Sequence, residues 1–216
     1  IGSAGRDVKL SASVERIYLE ETTRSTGRTG GGLSKKSVST QDVLDMNVAH
    51  GTVFSGEHLT LQAGRDLSLV GSQAVSTQQT LLTAGRDVDI DALILGTTQQ
   101  HDRQESRKGI YSTGGVGVTA GRQQQKAAQD TQSTTAWGST VGSTHGDVLI
   151  HAGGTYRQVG SALLAPEGDV LVDAKRIDVL AAEETSRNHR SNHFTQSGLT
   201  VALTAPVIAA VQTAQQ

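Results

Sequence analysis

Short stretches in which apolar and polar residues alternate recur along the chain, each after a turn that contains Gly and Asp. In VKLSA, which begins at Val8, and DLSLV, which begins at Asp66, every second residue is aliphatic. The same period continues in DVDID, DVLIHA and DVLVDA farther along the chain. A period of two is typical of a strand with one buried face. The pattern therefore predicts short β-strands that bury Val, Ile and Leu side chains on one side.

The turns before these strands are copies of one phrase. AGRD occurs at 4–7, 63–66 and 84–87, and the looser copies HGD and EGD occur at 145–147 and 167–169. The aspartates of successive copies are separated by 59, 21, 60 and 22 residues, so that long and short intervals alternate. An interval of 21 or 22 residues suits one coil of a β-solenoid, in which short strands are joined by tight corners. The spacing predicts an all-β, parallel β-helix with additional segments in the longer intervals.

Each copy is expected to form the same corner of a coil. The glycine would give the backbone access to positive φ, and the aspartate would cap the corner by accepting backbone N–H bonds. Equivalent side chains of stacked coils would lie about 4.8 Å apart and form aliphatic ladders. We assign this structural role to five Gly–Asp pairs: Gly5 and Asp7, Gly64 and Asp66, Gly85 and Asp87, Gly146 and Asp147, and Gly168 and Asp169.

Three polar spacers, at about 20–52, 97–143 and 183–205, occupy the longer intervals. The last two place basic residues before a glycine-containing turn and an alternating strand. We expect hairpin-like excursions that leave the coil, and two degenerate coils per interval are the alternative. Within the second spacer, RQQQKAAQDTQ at 122–132 has helical propensity, with a Gln-rich polar linker as the alternative.

Basic residues of the second and third spacers form a possible contact patch. Isolated surface charges usually bind nothing specific, so that a solvated surface is the ordinary explanation for them. The patch consists of Arg103, Arg107, Lys108, Arg122, Arg187 and Arg190.

Composition narrows the class of protein. The 216 residues include one Trp, three Tyr and two Phe, so the core is expected to consist of stacked aliphatic side chains. Cysteine is absent, which excludes disulfides and thiolate chemistry within this sequence. The formal charge of −2 gives no general attraction to nucleic acid. No run of residues approaches the ~20 apolar residues of a membrane-spanning helix. We therefore expect no nucleic-acid partner and no stable membrane span.

Motifs for catalysis or ligand binding are incomplete. GRTGGGLSKKS at 27–37 lacks the GK[ST] ending of a phosphate-binding loop, and GGVGVTAG at 114–121 lacks the glycine spacing of a dinucleotide fingerprint. His189 and His193 would share a metal only on a helix, whereas their polar neighbours favour an exposed strand. We expect no metal site and no cofactor.

An enzyme that acts on polysaccharides is the alternative from a different functional class. Such an enzyme needs two carboxylates, or a base and a cation, that converge on one face. Asp87, Asp89 and Asp91 share one side of a strand, yet corner and surface roles explain all three. We therefore expect no catalytic residues.

The AGRDVxLxA phrases at 4–13, 63–72 and 84–93 resemble the repeats of the filamentous haemagglutinin family of two-partner-secreted exoproteins. The spacer sequences SRKGIYSTGGVGVTAGRQQQ and HFTQSGLTVALTAPVIAAVQTAQQ resemble the second haemagglutinin repeat region of contact-dependent growth inhibition effectors. The resemblance covers essentially the whole chain. It departs at GRTGGGLSKKS, which matches poorly, and at the fourth and fifth copies, which lack AGR before Asp.

The resemblance implies a right-handed parallel β-helix that is exported through an outer-membrane transporter partner and displayed on a Gram-negative cell. It also implies a role in carrying a C-terminal toxin into a neighbouring bacterium whose envelope provides a receptor. We expect a single non-catalytic shaft segment over 1–216, part of a longer chain because the next long interval would end beyond Gln216. An adhesin segment that binds glycans or receptors on host or bacterial surfaces is the alternative.

Overall fold

The computed structural model describes residues 1–29, 32–112 and 117–202, and its regular structure within these ranges is β-strand. Parts of the three spacers, at 30–31, 113–116 and 203–205, lie outside the described residues. They include Gly30 and Gly31 of GRTGGGLSKKS and Gly114 and Gly115 of GGVGVTAG. The strands are β1 Gly2–Ala4, β2 Val8–Ser11, β3 Ser13–Thr29, β4 Ser34–His50, β5 Val53–Ala63, β6 Leu67–Val70, β7 Gln73–Ala84, β8 Val88–Asp91, β9 Leu93–Ser112, β10 Gly117–Trp137, β11 Thr140–Ser143, β12 Val148–Val159, β13 Ala162–Leu164, β14 Val170–Leu180 and β15 Thr185–Ala202.

The chain divides into two compact units. Unit 1 contains residues 1–18, 45–98 and 132–187, and unit 2 contains 19–44, 99–131 and the described residues from 188 onward. Unit 1 holds the short strands that the alternating pattern predicts, whereas unit 2 consists of the outer parts of the long strands β3, β4, β9, β10 and β15.

Parallel strands of unit 1 stack as successive coils. We number the coils 1 to 5 by their residues: 2–11, 53–70, 73–91, 140–159 and 162–180. Equivalent strands of neighbouring coils pair in parallel, and the resulting ten-stranded sheet follows the order β1-β5-β7-β12-β8-β6-β2. A further set of parallel pairs joins β7, β11 and β13. The expected all-β architecture with a nearly closed parallel sheet is confirmed.

The core of unit 1 is a narrow stack of aliphatic side chains. Leu67 and Leu69 of coil 2 lie beside Val88 and Ile90 of coil 3, and all four side chains are fully buried. Tyr156 of coil 4 continues this stack, and burial raises the pKa of Tyr156 to about 12. Because side chains alternate along each strand, the period of two in the sequence places these residues inside.

The long intervals hold antiparallel hairpins and not extra coils. A separate five-stranded sheet has the order β15-β10-β9-β4-β3. Arg16 contacts Asp45, 29 residues away, and Glu20 contacts Gln41, 21 residues away. The separation in sequence decreases toward the turn, as it does in an antiparallel hairpin. Leu93–Ser112 and Gly117–Trp137 are the two strands of the second hairpin.

The Gln-rich segment at 122–132 lies within β10 and is neither helix nor linker, so this expectation is wrong. Strand β10 pairs with β9 on one side and β15 on the other. Backbone hydrogen bonds on both sides outweigh a weak local preference for helix.

Candidate functional site

The glycines of the AGRD phrase lie directly on one another in neighbouring coils. A Cβ on Gly64 would lie 2.2 Å from the carbonyl oxygen of Gly5, and a Cβ on Gly85 would lie 2.3 Å from that of Gly64. None of these three glycines has a positive φ. The expectation that they supply positive φ is therefore wrong. Glycine is required at Gly64 and Gly85 because the stacked backbones leave no space for a side chain.

Arginine and aspartate of the same phrase pair between coils. Arg65 of coil 2 donates from Nε and Nη2 to Asp7 of coil 1, at 3.0 Å each. Arg86 of coil 3 donates from Nε to Asp66 at 2.7 Å, and its Nη2 also contacts that carboxylate. Each arginine also lies close to the aspartate of its own phrase. The phrase thus builds a ladder of two-point ion pairs along one edge of unit 1, which was not expected from the sequence.

This pairing shifts the pKa values of both partners. The hydrogen bonds from Arg86 lower the pKa of Asp66, and the same bonds raise the pKa of Arg86. Both side chains are accessible to solvent, which screens the attraction and limits its contribution to stability.

We predict a pH-dependent effect of Arg86→Gln. A carboxyl group whose pKa is lower in the folded state stabilises the fold above its unfolded pKa of about 3.9. Arg86→Gln should therefore lower the Tm at pH 7, and the difference from the unchanged protein should shrink as the pH falls below about 4. Thermal melts between pH 2 and 7 would measure this. Arg6→Gln is the control, because the Arg6 guanidinium lies 3.3 Å from Asp7 of its own phrase and, among the described residues, forms no ion pair with another coil. An equal loss in both variants would contradict a role of the pairing between coils.

The fourth and fifth copies of the phrase lie at a different corner from the first three. Val148, which follows Asp147, pairs with Thr80 and not with Val88. On its other side Val148 pairs with Val170, which follows Asp169. In coil 4 the position above Gly85 is occupied by Gly153, where a Cβ would lie 2.2 Å from the carbonyl oxygen of Gly85. The expectation of one shared corner is wrong. All ten assigned residues nevertheless lie at bends before strands: Gly5, Asp7, Gly64, Asp66, Gly85, Asp87, Gly146, Asp147, Gly168 and Asp169.

Two of these aspartates accept backbone N–H bonds from the next coil. Asp87 accepts from the N–H of Thr155 at 2.8 Å, and Asp147 accepts from that of Asp169 at 2.9 Å. Since the donors belong to another coil, these bonds join coils and do not close a local turn.

The carboxylates of Asp89 and Asp91 in β8 lie beside an arginine of the next coil. Arg157 of the next coil lies 2.7 Å from Asp91 and 4.0 Å from Asp89. Burial, together with the neighbouring charge of Asp91, raises the pKa of Asp89. Arg157 thus joins coil 4 to coil 3 through an ion pair with Asp91.

The predicted basic residues lie on three strands of the second sheet. Arg187 lies in unit 1, whereas the other five residues lie in unit 2. Side chains alternate along β9, so Arg103 and Arg107 share one face and Lys108 lies on the other. Arg122 of β10 and Arg190 of β15 belong to different strands of the same sheet.

The charge of this patch is also partly compensated. Glu105 contacts Lys36 at 2.7 Å and Arg103 at 3.4 Å, and the pKa of Glu105 is lowered mainly by the hydrogen bond from Lys36. The guanidinium of Arg107 lies 5.6 Å from the centre of the Tyr111 ring. The contact with Lys36 was missed in the sequence because that residue is 69 positions away from Glu105.

A shallow groove of about 360 Å³ crosses the sheet of unit 2. Glu21, Asp42 and His101 contribute its titratable groups, and Asp42 contacts His101 directly. Gln99 and Gln129 add amides, so the groove offers several hydrogen-bonding groups to a polar molecule. Its residues come from four strands, which explains why no contiguous motif indicated it.

Among the described residues, no three His, Cys, Asp or Glu side chains are grouped so that they could hold a metal ion. His189 and His193 are exposed on β15, where the Nε2 of His193 contacts Thr195. Within the ranges that the structure describes, no helix is long and apolar enough to cross a membrane.

The chain is similar to one protein family and to several named proteins. A family model described as hemagglutinin repeat matches residues 8–108 and 118–213. The protein named tRNA nuclease CdiA-2 of Burkholderia pseudomallei strain 1026b is 32% identical over 98% of the chain. The proteins named Deoxyribonuclease CdiA of Dickeya dadantii strain 3937 and 16S rRNA endonuclease CdiA of Enterobacter cloacae are 35% and 31% identical over 99% and 98% of the chain.

These relatives are far longer than the chain. It spans 7% of the Burkholderia protein and 6% of each of the other two. No solved structure matches the chain.

Proposed function

The chain belongs to the hemagglutinin repeat family, and from this we propose that it is a non-catalytic segment of the shaft of a large secreted protein. The protein would leave a Gram-negative cell through an outer-membrane transporter partner and remain at the cell surface. There the shaft would support the delivery of a toxin into a neighbouring bacterium, whose envelope supplies a receptor.

The parallel register of the coils is the observation that carries this proposal. Leu10, Leu69 and Ile90 occupy equivalent positions in three coils, and the glycines at the AGRD corner let the backbones approach closely. Such coils can be added one after another without changing the contacts within each, as in other solenoid proteins. We propose that the coils form one right-handed β-helical segment over 1–216, with the hairpins as excursions from it.

The nuclease activities in the relatives' names are proposed to belong to parts of those proteins outside the matched region. The chain covers only 6–7% of them. Adhesion through the predicted basic patch is less favoured, because Glu105 forms ion pairs with Arg103 and Lys36.

Shortening one hairpin in the full-length protein tests the proposal. The outer part of the second hairpin, 99–131, is replaced by Asn-Gly, which forms a tight hairpin turn between β9 and β10. We expect unchanged surface display and target-cell binding, with inhibition of target cells reduced at least about tenfold. A double substitution, Arg103→Gln with Arg187→Gln, is the matched control that leaves the hairpin in place.

Loss of target-cell binding in the shortened variant or in the control would favour the adhesin alternative and contradict a shaft. Unchanged inhibition by the shortened variant would contradict a role of this region in delivery. Cleavage of tRNA or DNA by the purified 216-residue chain would contradict the non-catalytic assignment.

A further inference from the structure

At one corner of unit 1 the chain either continues into the next coil or enters a long strand. We call it the exit corner; it follows β2, β6, β8, β12 and β14. Backbone hydrogen bonds between coils align the residues of this corner. The N–H of the corner residue in one coil donates to the carbonyl oxygen of the residue just before the corner residue in the next coil. In order of the coils, the exit corner is occupied by Ala12, Gly71, Ala92, Gly160 and Ala181.

Glycine and alanine alternate at the exit corner, and the path of the chain alternates with them. Gly71 and Gly160 have φ of +59° and +54°, and the next coil begins within two residues of each. Ala12 and Ala92 have no positive φ, and each is followed at once by a long strand, β3 or β9. After Ala181 the chain enters β15. A left-handed backbone costs an alanine about 1 kcal/mol or more, which favours glycine where the corner is tight.

The alternation has a geometric reason. Stacked coils advance by about 4.8 Å each, so two coils advance by about 9.6 Å. One hairpin contributes two strands to the second sheet, and each strand occupies about 4.8 Å, which is again about 9.6 Å. One hairpin for every two coils therefore keeps both sets of strands at the same spacing. If every coil carried a hairpin, the hairpin strands would need more space than the coils advance. If only every third coil carried one, a gap would remain between neighbouring hairpins.

The ends of the long strands that belong to unit 1, which we call the hairpin bases, pair with one another. Residues 45–50 of β4 and 93–98 of β9 belong to different hairpins and pair side by side. Gly96 lies beside Asn47, whose Nδ2 would be 3.9 Å from a Cβ at that glycine. At the next junction, Thr134 of β10 contacts Thr185 of β15 at 2.9 Å. Five such strand bases accompany five coils.

We infer that the residue at the exit corner sets the position of each hairpin, and that the edge of one hairpin is the docking surface for the hairpin two coils farther on. The partner of this surface is thus another hairpin of the same chain, held at the right distance by the number of coils between them. An isolated hairpin is marginally stable in water, so this pairing is what stabilises the long strands.

Cysteine cross-links can test the inference, because the chain contains no cysteine of its own. The pair Asn47→Cys with Gly96→Cys reports the contact between two hairpins. The pair Arg16→Cys with Asp45→Cys reports pairing within the first hairpin, where Arg16 Nε lies 2.7 Å from Asp45. Disulfide formation is measured in the 216-residue chain under mild oxidation.

Each pair is placed in three versions of the chain. The first is the unaltered chain, the second repeats residues 52–71 and so adds one coil without a hairpin, and the third repeats residues 13–92 and so adds two coils with one hairpin. In the third version the cysteine at 47 is placed in the second copy. Both insertions keep the register, since one follows Gly71 and the other follows Ala92.

We expect the disulfide between hairpins in the first and third versions and at least a tenfold loss of it in the second. The disulfide within the hairpin should form in all three. Equal cross-linking between hairpins in the second version, or loss of it in the third, would overturn the inference.

Discussion

Gly85→Ala is expected to lower the free energy of unfolding by about 3 kcal/mol, the upper range for forcing atoms into packed space. The added Cβ would lie 2.3 Å from the carbonyl oxygen of Gly64, and backbone atoms cannot move aside as a flexible side chain can. Separation of these two coils would also weaken the ion pair of Arg86 with Asp66. Urea unfolding followed by circular dichroism would measure the change.

Gly5→Ala is the matched control for this prediction. Gly5 belongs to the same phrase, but among the described residues no heavy atom lies within 4 Å of a Cβ built there. Its backbone φ is not positive, so alanine should be neutral or slightly stabilising, by up to about 1 kcal/mol. Equal destabilisation at both positions would show that the phrase needs glycine for its own backbone and not for stacking.

Leu69→Ala should produce the second large effect, a loss of about 2–5 kcal/mol of unfolding free energy. Leu69 is fully buried and lies between Leu10 of coil 1 and Ile90 of coil 3. Removal of three carbon atoms would leave a cavity that the regular spacing of the strands cannot close. The same urea titration would measure the loss.

Leu171→Ala provides the comparison, because Leu171 is in an equally regular strand but is 60% exposed. A change within about 0.5 kcal/mol is expected there. Similar effects at Leu69 and Leu171 would contradict the inward and outward faces that the structure assigns to the alternating pattern.

Contacts between coils hold unit 1 together. The stacking of glycines and of aliphatic residues fixes the distance from one coil to the next. The hairpin bases pair with one another as neighbouring strands of the second sheet, and neighbouring strands of any sheet lie about 4.8 Å apart. A substitution that separates two coils should therefore also weaken the pairing between hairpin bases within unit 1.

The sequence by itself determined the strands and their buried faces. A period of two is a local property, because each residue points opposite to its neighbour along an extended chain. Leu67, Leu69, Val88 and Ile90 were assigned to one face on this basis, and all four are buried. The repeated phrase likewise indicated stacked coils, and the resemblance of the repeats and spacers indicated the family, which the hemagglutinin repeat match confirms.

The tertiary structure alone decided which residues meet between coils. HGD at 145–147 looks like AGRD at 84–87, yet Val148 pairs with Thr80 and the copy lies at another corner. Local similarity could not distinguish these corners, because each requires a small residue before a strand. The partners of Asp66 and Glu105 were equally hidden, since register brings together residues that are distant in the chain.

In the long intervals too, the sequence determined the local pattern and the tertiary structure decided the pairing of the strands. Their length and polarity were compatible with hairpins or with extra coils, and only the pairing of β9 with β4 and β10 selected hairpins. The strand at 122–132 forms against its helical propensity because two neighbouring strands supply its hydrogen bonds. Side-chain alternation is encoded residue by residue, whereas register depends on the sum of contacts with strands from elsewhere in the chain.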